Sequence, residues 1–255
     1  MDLGIKGKKA LITGAGRGLG NAIATCLIQE GVRVAIVART EENIQSFIQK
    51  NGKEHVGLIY DLIPEGNPTK MIEELKEKFG YPDIVVHNVG GTLDITNPFC
   101  SLEEWRTIYR FNLEIAIEIN LLLIPYMQKQ KWGRIVHTSS IAALENQGTV
   151  PYCSIKAALT AYTRSIGRFV SSDGINISAV LPGAIFTEGG YWDKTSKERP
   201  EHVEKYLMER MAIKRFGTPD EIGKFVTLLC SNHASFVVGS TFLIDGGQGR
   251  CFSSY

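Results

Sequence analysis

Two hydrophobic rhythms alternate along the chain. Short, nearly unbroken apolar runs end at glycine or polar residues, and between them apolar residues recur at helical spacing. Lys8 to Thr13 reads as a buried strand ending in glycines, and Asn21 to Glu30 as a helix with Ala22, Ile23, Cys26 and Leu27 on one face. Val32 to Ala38 is almost wholly apolar, as a strand covered on both faces should be. Thr40-Glu41-Glu42 supplies an N-cap and an acidic first turn for a helix to about Lys50. The same alternation predicts a strand over Val56 to Tyr60, a helix over Thr69 to Phe79 and a strand over Asp83 to His87. A long helical region follows from Leu102 to about Lys131, then a strand from Arg134 to Thr138 and a helix from Tyr152 to Ser171. Asn176 to Leu181 is a strand, Pro219 to Cys230 a helix, and Thr241 to Ile244 the seventh and last strand. Strands separated by helices imply right-handed parallel crossovers, hence an α/β doubly wound, three-layer architecture around a seven-stranded parallel sheet.

One stretch breaks the rhythm. Glu188 to Arg215 is rich in charge, with Tyr191, Trp192, Tyr206, Leu207, Met208 and Met211 interspersed. It follows the C-terminal end of the sixth strand, where ligands of such sheets bind, so it reads as a substrate lid at about 188–215. At 255 residues the length leaves one domain or two open, at about 150 residues per domain. No repeat, low-complexity tract or linker divides the chain, so a single domain over 1–255 is expected.

Composition narrows the classes. Hydrophobic residues at 44% and charged residues at 22% are ordinary for a folded soluble protein. The formal net charge of +1 provides no basic field for a nucleic-acid partner. The most apolar long stretch, Ile115 to Met127, is too short to span a bilayer and contains Glu118 and Asn120, and the N-terminus has no signal-peptide pattern. Five scattered cysteines without a CxxC fit reduced thiols in a cytoplasmic protein, and the histidines show no metal-ligand spacing, so no metal is expected. Glycine is the one excess, at 26 of 255 residues against a usual ~7%.

Those glycines fall where chemistry is expected. Thr13-Gly14-Ala15-Gly16-Arg17-Gly18-Leu19-Gly20 lies between the first strand and its helix. Gly14 permits a tight turn, Gly18 lets backbone approach a pyrophosphate, Gly20 allows close helix–strand packing, and Gly16 has no evident role. The helix N-terminus then offers N–H groups to phosphate oxygens. An acid closing the second strand would bind the adenosine ribose and select NAD. That strand ends Val37-Ala38-Arg39 instead, and Arg39, with Arg17 as a second cation, would pair with a 2′-phosphate. NADP(H) is therefore favoured over NAD(H). Tyr152 and Lys156, at i and i+4, share a helix face, where a nearby ammonium should lower the phenol toward a working acid–base range.

The glycine turn, Asn88-Val89-Gly90, Asn112, Ser139-Ser140, Tyr152-x-x-x-Lys156 and Pro182-Gly183 occur in this order. Together they make the chain resemble the short-chain dehydrogenase/reductase family from about Lys8 to Gly247. Arg215-Phe-Gly-Thr-Pro-Asp-Glu-Ile222 and Ile244-Asp-Gly-Gly247 place the resemblance nearest the bacterial branch that includes 3-oxoacyl-acyl-carrier-protein reductases. The resemblance implies a Rossmann-type fold and hydride transfer between a nicotinamide and a ketone or secondary alcohol. It implies Tyr152 as the acid/base and Lys156 as holder of the nicotinamide ribose and tuner of Tyr152. It also implies a serine that polarises the carbonyl and Asn112 as the anchor of a relay water. Gly14, Arg17, Gly18, Leu19, Gly20 and Arg39 would bind the cofactor, Asp61 and Leu62 would lie beside adenine, and Asn88 and Gly90 along the cofactor. Pro182, Gly183, Ile185 and Thr187 would border the carboxamide. It further implies a homotetramer or homodimer through the helices at 102–131 and 152–171.

Two departures stand out. The family's Asn-Asn-Ala-Gly is His87-Asn88-Val89-Gly90 here. The acting serine is Ser140 by strand registry, whereas counting back from Tyr152 gives Ser139; registry decides side-chain direction, so Ser140 is preferred. For the substrate, Lys194, Lys197 and Arg199 would suit an acyl thioester, whereas Thr92, Asp94, Glu145, Glu188 and Asp193 would suit a keto-sugar. Tyr191, Trp192 and Met208 would suit a steroid or small ketone. The polar run Glu145-Asn146-Gln147 tilts the expectation toward a polar substrate. A cofactor-binding regulator without catalysis is the remaining alternative, disfavoured by the presence of Asn112, Ser140, Tyr152 and Lys156 together.

Overall fold

Alternate side chains of the first strand, β1 (Lys9–Thr13), point to opposite faces of a sheet that is covered on both sides. Ala10 and Ile12 join one buried cluster and Leu11 the other, all at 0% exposure in a computed structural model that describes residues 1–251. The remaining strands are β2 (Arg33–Ala38), β3 (Val56–Ile59), β4 (Ile84–His87), β5 (Gly133–Thr138), β6 (Ile175–Pro182) and β7 (Thr241–Ile244). They pair in the order β3-β2-β1-β4-β5-β6-β7, every pair parallel. Helices α1 (Gly18–Gln29), α2 (Glu41–Asn51) and α9 (Pro219–Leu229) cover one face, through Ile23, Leu27, Phe47, Ile222 and Val226. On the other face lie α3 (Asn67–Lys78), α5 (Ile115–Gln130) and the end of α6 (Val150–Val170), through Met71, Leu75, Ile119, Leu123 and Val170. The architecture is the expected three-layer doubly wound α/β fold. Its strand order reverses between β1 and β4, which opens a crevice at their C-terminal ends.

The region from 102 to 131 is less uniform than its periodicity predicts. α4 (Leu102–Tyr109), started by a Ser101–Glu104 capping box, gives way to a π-helical turn over Arg110–Glu114 before α5 begins. Asn112 sits within that turn. Its Nδ2 donates to the Ile108 carbonyl at 3.0 Å and to the Gly91 carbonyl at 2.9 Å, and its Oδ1 accepts from the Gly91 N–H at 2.9 Å. Thr40 caps α2 by position only; its hydroxyl accepts from Asn43 Nδ2 at 2.6 Å rather than from a backbone N–H.

The irregular stretch after β6 forms α7 (Tyr191–Glu198) and α8 (Pro200–Arg210). Past β7, Gln248 to Cys251 fold back within the same chain, against Glu145, Gln147 and α8. The tail Gln248 to Tyr255, expected from the sequence either to pack across an oligomer interface or to fray, lies outside the described residues from 252 onward. Among the described residues no helix is long and apolar enough to cross a membrane, and no group of His, Cys, Asp and Glu could hold a metal ion.

Candidate active site

The strand ends converge on a cleft of about 720 Å³. Its floor at β1 is tied to β4: Thr13 Oγ1 accepts from the backbone N–H groups of Asn88 and Val89 at 3.1 and 3.3 Å, and Asn88 Nδ2 donates to the Gly14 carbonyl at 3.0 Å. The turn is packed too closely for side chains. A Cβ on Gly20 would lie 2.6 Å from the Gly14 carbonyl oxygen, and one on Gly16 would lie 2.8 Å from Ala38 Cβ and 3.0 Å from Asn43 Cβ. Gly16, unexplained from sequence, is therefore where the turn passes against β2 and α2. No side chain caps α1 and no acid occupies its first turn, so its N–H groups face the cleft without a competing carboxylate.

Of the sequence-derived candidates, Gly14, Arg17, Gly18, Leu19, Arg39, Asp61, Leu62, Asn88 and Gly90 line one end of the cleft or its floor. Ser140, Tyr152, Lys156, Pro182, Gly183 and Ile185 line the rest of it, and Thr187 faces the glycine turn, its Cγ2 3.5 Å from where a Cβ on Gly18 would stand. Gly20 and Asn112 lie behind the wall. Gly20 is buried under the turn, and Asn112, 2% exposed, reaches the site through Gly91. A Cβ on Gly90 would stand 2.8 Å from both Asn112 Oδ1 and Lys156 Nζ, so these two groups meet behind Gly90. Arg17 does not pair with the Arg39 side of the cleft; its Nη1 donates to the Gly189 carbonyl at 3.1 Å, which links the glycine turn to the segment after β6. Thr40, Asn43, Tyr60, Phe111, Thr138 and Gly190 also line the cleft and were not singled out from sequence. Only Thr40 and Asn43, one helical turn apart beyond Arg39, left a local signal.

Electrostatics correct one expectation. Burial pushes the Tyr152 phenol up from its ordinary value, and a hydrogen bond with the Ser140 hydroxyl works in the opposite direction. Lys156 does not lower it here. Its Nζ lies 5.6 Å from the Tyr152 ring centroid and donates to the Thr138 carbonyl at 2.9 Å, while burial pushes its own pKa down to about 7. An amine this easily deprotonated offers the phenolate less positive charge than a solvated lysine would. The two serines differ in direction, as registry requires. Ser140 reaches Tyr152, whereas Ser139 donates to the Lys156 carbonyl at 3.1 Å and meets Thr160 at 3.2 Å.

Beneath the site, His87 and His137 sit side by side in register on β4 and β5. His87 Nε2 pairs with Asn120 Oδ1 at 2.8 Å, and His137 Nδ1 with the Thr163 hydroxyl at 2.8 Å. Burial lowers His87 to about 4 and His137 well below its usual value, so both are neutral structural groups. Among the polar substrate candidates only Glu188 lines the cleft, and Trp192 is the one aromatic of the 188–215 stretch that does. Glu145 instead accepts from the backbone N–H groups of Arg250 and Cys251, and Asp193 from that of Gly189, so neither is aimed at a ligand.

A glycine turn opening α1 at a strand-order reversal, with Tyr152, Lys156 and Ser140 on the same cleft, defines a dinucleotide-binding α/β oxidoreductase. The sequence profile of a family described as enoyl-(acyl carrier protein) reductase matches residues 14–248. A 3-oxoacyl-[acyl-carrier-protein] reductase of Pseudomonas aeruginosa is 34% identical over 250 residues, covering 96% of this chain and 99% of that protein. A reductase of the same description from Aquifex aeolicus is 32% identical, covering 97% and 100%. Among solved structures, L-sorbose reductase from Gluconobacter frateurii, complexed with NADPH and L-sorbose, superposes with a TM-score of 0.91 at 30% identity, covering 99% and 100% of the two chains. The chain belongs to the short-chain dehydrogenase/reductase family, whose members are NAD(P)-binding oxidoreductases acting on C=O and CH–OH groups of small molecules.

Proposed function

We propose that this protein is an NADP(H)-dependent reductase of a polar ketone, with the reverse oxidation of the secondary alcohol open to it. The observation that carries the reading is one cleft lined by Ser140, Tyr152 and Lys156 and, where an acid closing β2 would select NAD, by Arg39 after Ala38. The nicotinamide, when bound, supplies or accepts the hydride. Ser140 donates to the carbonyl oxygen and orients it. Tyr152, kept protonated by burial, gives that oxygen its proton. Lys156 would hold the nicotinamide ribose, and Asn112, close to it behind Gly90, would anchor the water that brings Tyr152 a replacement proton. Arg39, Thr40 and Asn43 form the cradle for the adenosine end, where Arg39 provides a guanidinium for a 2′-phosphate.

Trp192 with Glu188 favours a polyhydroxylated substrate: an indole face stacks on C–H groups while a carboxylate accepts from hydroxyls. The L-sorbose reductase likeness supports the same class. A 3-oxoacyl thioester is the second reading, supported by the reductase relatives of that description. Lys194, Lys197 and Arg199, the cations that would serve it, do not line the cleft, and Lys197 is paired with Asp193 at 2.9 Å. The stretch 188–215 serves as the lid of this single domain. Leu102, Leu121 and Phe169, exposed on α4, α5 and α6, support assembly into a homodimer or homotetramer.

The test follows NADPH and NADH oxidation against L-sorbose and other keto-sugars, acetoacetyl thioesters and small ketones, with light scattering for assembly. Faster turnover of a keto-sugar with NADPH is the expected result. Turnover confined to thioesters would replace it with the second reading, and none on any carbonyl would overturn both.

A further inference from the structure

Gln248 is the first residue past the Gly246-Gly247 turn that follows β7, and its side chain is buried, 4% exposed. A buried primary amide must find partners for its donors and acceptor. Oε1 accepts from the Ala184 N–H at 2.8 Å, and Nε2 donates to Gln147 Oε1 at 2.5 Å and to the Tyr206 hydroxyl at 2.8 Å. These partners come from three segments far apart in sequence: the Pro182-Gly183-Ala184 backbone, the loop between Ser140 and α6, and α8. The fit is tight, since a Cβ on Gly183 would lie 2.6 Å from Gln248 Oε1.

Each segment leads to the cleft. Tyr206 supports Trp192, with ring centroids 4.4 Å apart, and Trp192 lines the substrate end. The Gln147 loop reaches Tyr152, because a Cβ on Gly148 would lie 3.1 Å from its ring. The tail repeats the fastening one turn on: the Arg250 N–H donates to Glu145 Oε1 at 2.5 Å, and Arg250 Nη2 to the Glu209 carbonyl at 2.7 Å.

We infer that Gln248 is a positioning residue that sets substrate affinity, holding the Trp192 platform in register with the Gly183 backbone and the Tyr152 loop. It touches no reactant and acts through Tyr206 and Trp192. The inference rests on the proposed reduction of a polar ketone at the Trp192 end of the cleft.

Three variants separate its contacts. Gln248→Leu removes all three, Gln248→Glu keeps the acceptor for Ala184 and loses the donors, and Tyr206→Phe removes only the link to α8. With L-sorbose as the probe, Gln248→Leu and Tyr206→Phe should each raise KM about tenfold while kcat stays within about threefold, as loss of one well-made buried hydrogen bond would. The double variant Gln248→Leu/Tyr206→Phe should be no worse than Gln248→Leu alone, because both act on one link. A second readout needs no turnover: in protein labelled with 5-fluorotryptophan, the Trp192 fluorine resonance, assigned by Trp192→Phe, should shift or broaden in both single variants. The Trp105 and Trp132 resonances should stay in place. An unmoved Trp192 resonance, equal movement of all three, or fully additive KM effects would overturn the positioning role. If Gln248→Leu does not fold, Tyr206→Phe carries the same comparison. If no carbonyl in the panel is reduced, the proposed function fails, and the fluorine resonances alone decide the role of Gln248.

Discussion

The two ends of the cleft are built on different principles. At the Gly14–Gly20 end the walls are strand termini and a helix N-terminus, held by backbone geometry and by bonds between adjacent strands such as Thr13 to Asn88. At the Trp192 end the walls are a two-helix excursion, an aromatic stack and a folded-back tail, held by side-chain bonds between segments far apart in sequence. Backbone cradles tolerate little change in ligand shape, because moving them means moving the sheet. Side-chain platforms can be re-cut one residue at a time. On the proposed reading the cofactor occupies the first end, and substrate choice falls to the second.

Four experiments bear on that contrast, in order of expected effect. Tyr152→Phe keeps the ring that lines the cleft and removes the proton, so kcat should fall by about a thousandfold while NADPH binding, followed by fluorescence, stays near that of the parent. Comparable loss of cofactor binding would mean that the two ends are not separable. Arg39→Asp should move the preference from NADPH toward NADH by about tenfold to a hundredfold, measured as the ratio of kcat/KM values, without altering which ketone is reduced.

Lys156→Met tests the cost of the buried amine. Burial lowers this group from 10.5 to about 7, so the folded chain releases its proton before the unfolded chain does. The destabilisation is therefore fully present below about pH 7 and is relieved as pH rises toward the unfolded lysine value. In urea melts the variant should be more stable than its parent by about 2 kcal/mol near neutrality and below, with the gap closing toward about pH 10. A gap that widens with pH would reverse the sign assigned to Lys156. Finally, Trp192→Ala should raise KM for L-sorbose about tenfold and leave the cofactor dissociation constant within about twofold, as loss of one stacking platform would. An equal rise in both would place Trp192 at the boundary between the two ends.

The histidines on β4 and β5 belong to neither end, and they show how a motif departure is absorbed. His87 replaces the expected first asparagine of the Asn-Asn-Ala-Gly motif, and it meets His137 across the ladder with ring centroids 5.0 Å apart. Asn120 from α5 joins both rings. The substitution is accommodated by a buried neutral network, and the second asparagine, Asn88, keeps its bond to Gly14.

Legibility in the sequence followed the range of the interactions. The five inner strands were readable because a strand buried on both faces must be apolar along its whole length, and the glycine turn because its spacing is contained in Gly14 to Gly20, although Gly16 owes its place to Ala38 and Asn43. Strand registry, a local two-residue rule, predicts that Ser139 and Ser140 point to opposite faces, and the two make different contacts. The π-helical turn was hidden: Asn112 within it bonds to Gly91, 21 positions away, and no local pattern marks that pairing. The direction of the Tyr152 shift was missed because an i, i+4 spacing places two side chains on one face without fixing how deeply either is buried. The polar run Glu145-Asn146-Gln147 misled in a related way: its groups bind the tail rather than a ligand.

The amino-acid pattern by itself thus determined the sheet, its parallel crossovers, the family and the identity of the residues at the cleft, all of which rest on periodicity and short motifs. Folding decided how those residues are charged and which segments close the substrate end. Gln248 meets its partners at separations of 42, 64 and 101 residues. The physical reason is that desolvation and long-range hydrogen bonding depend on everything packed around a group, and no window of sequence contains that surrounding.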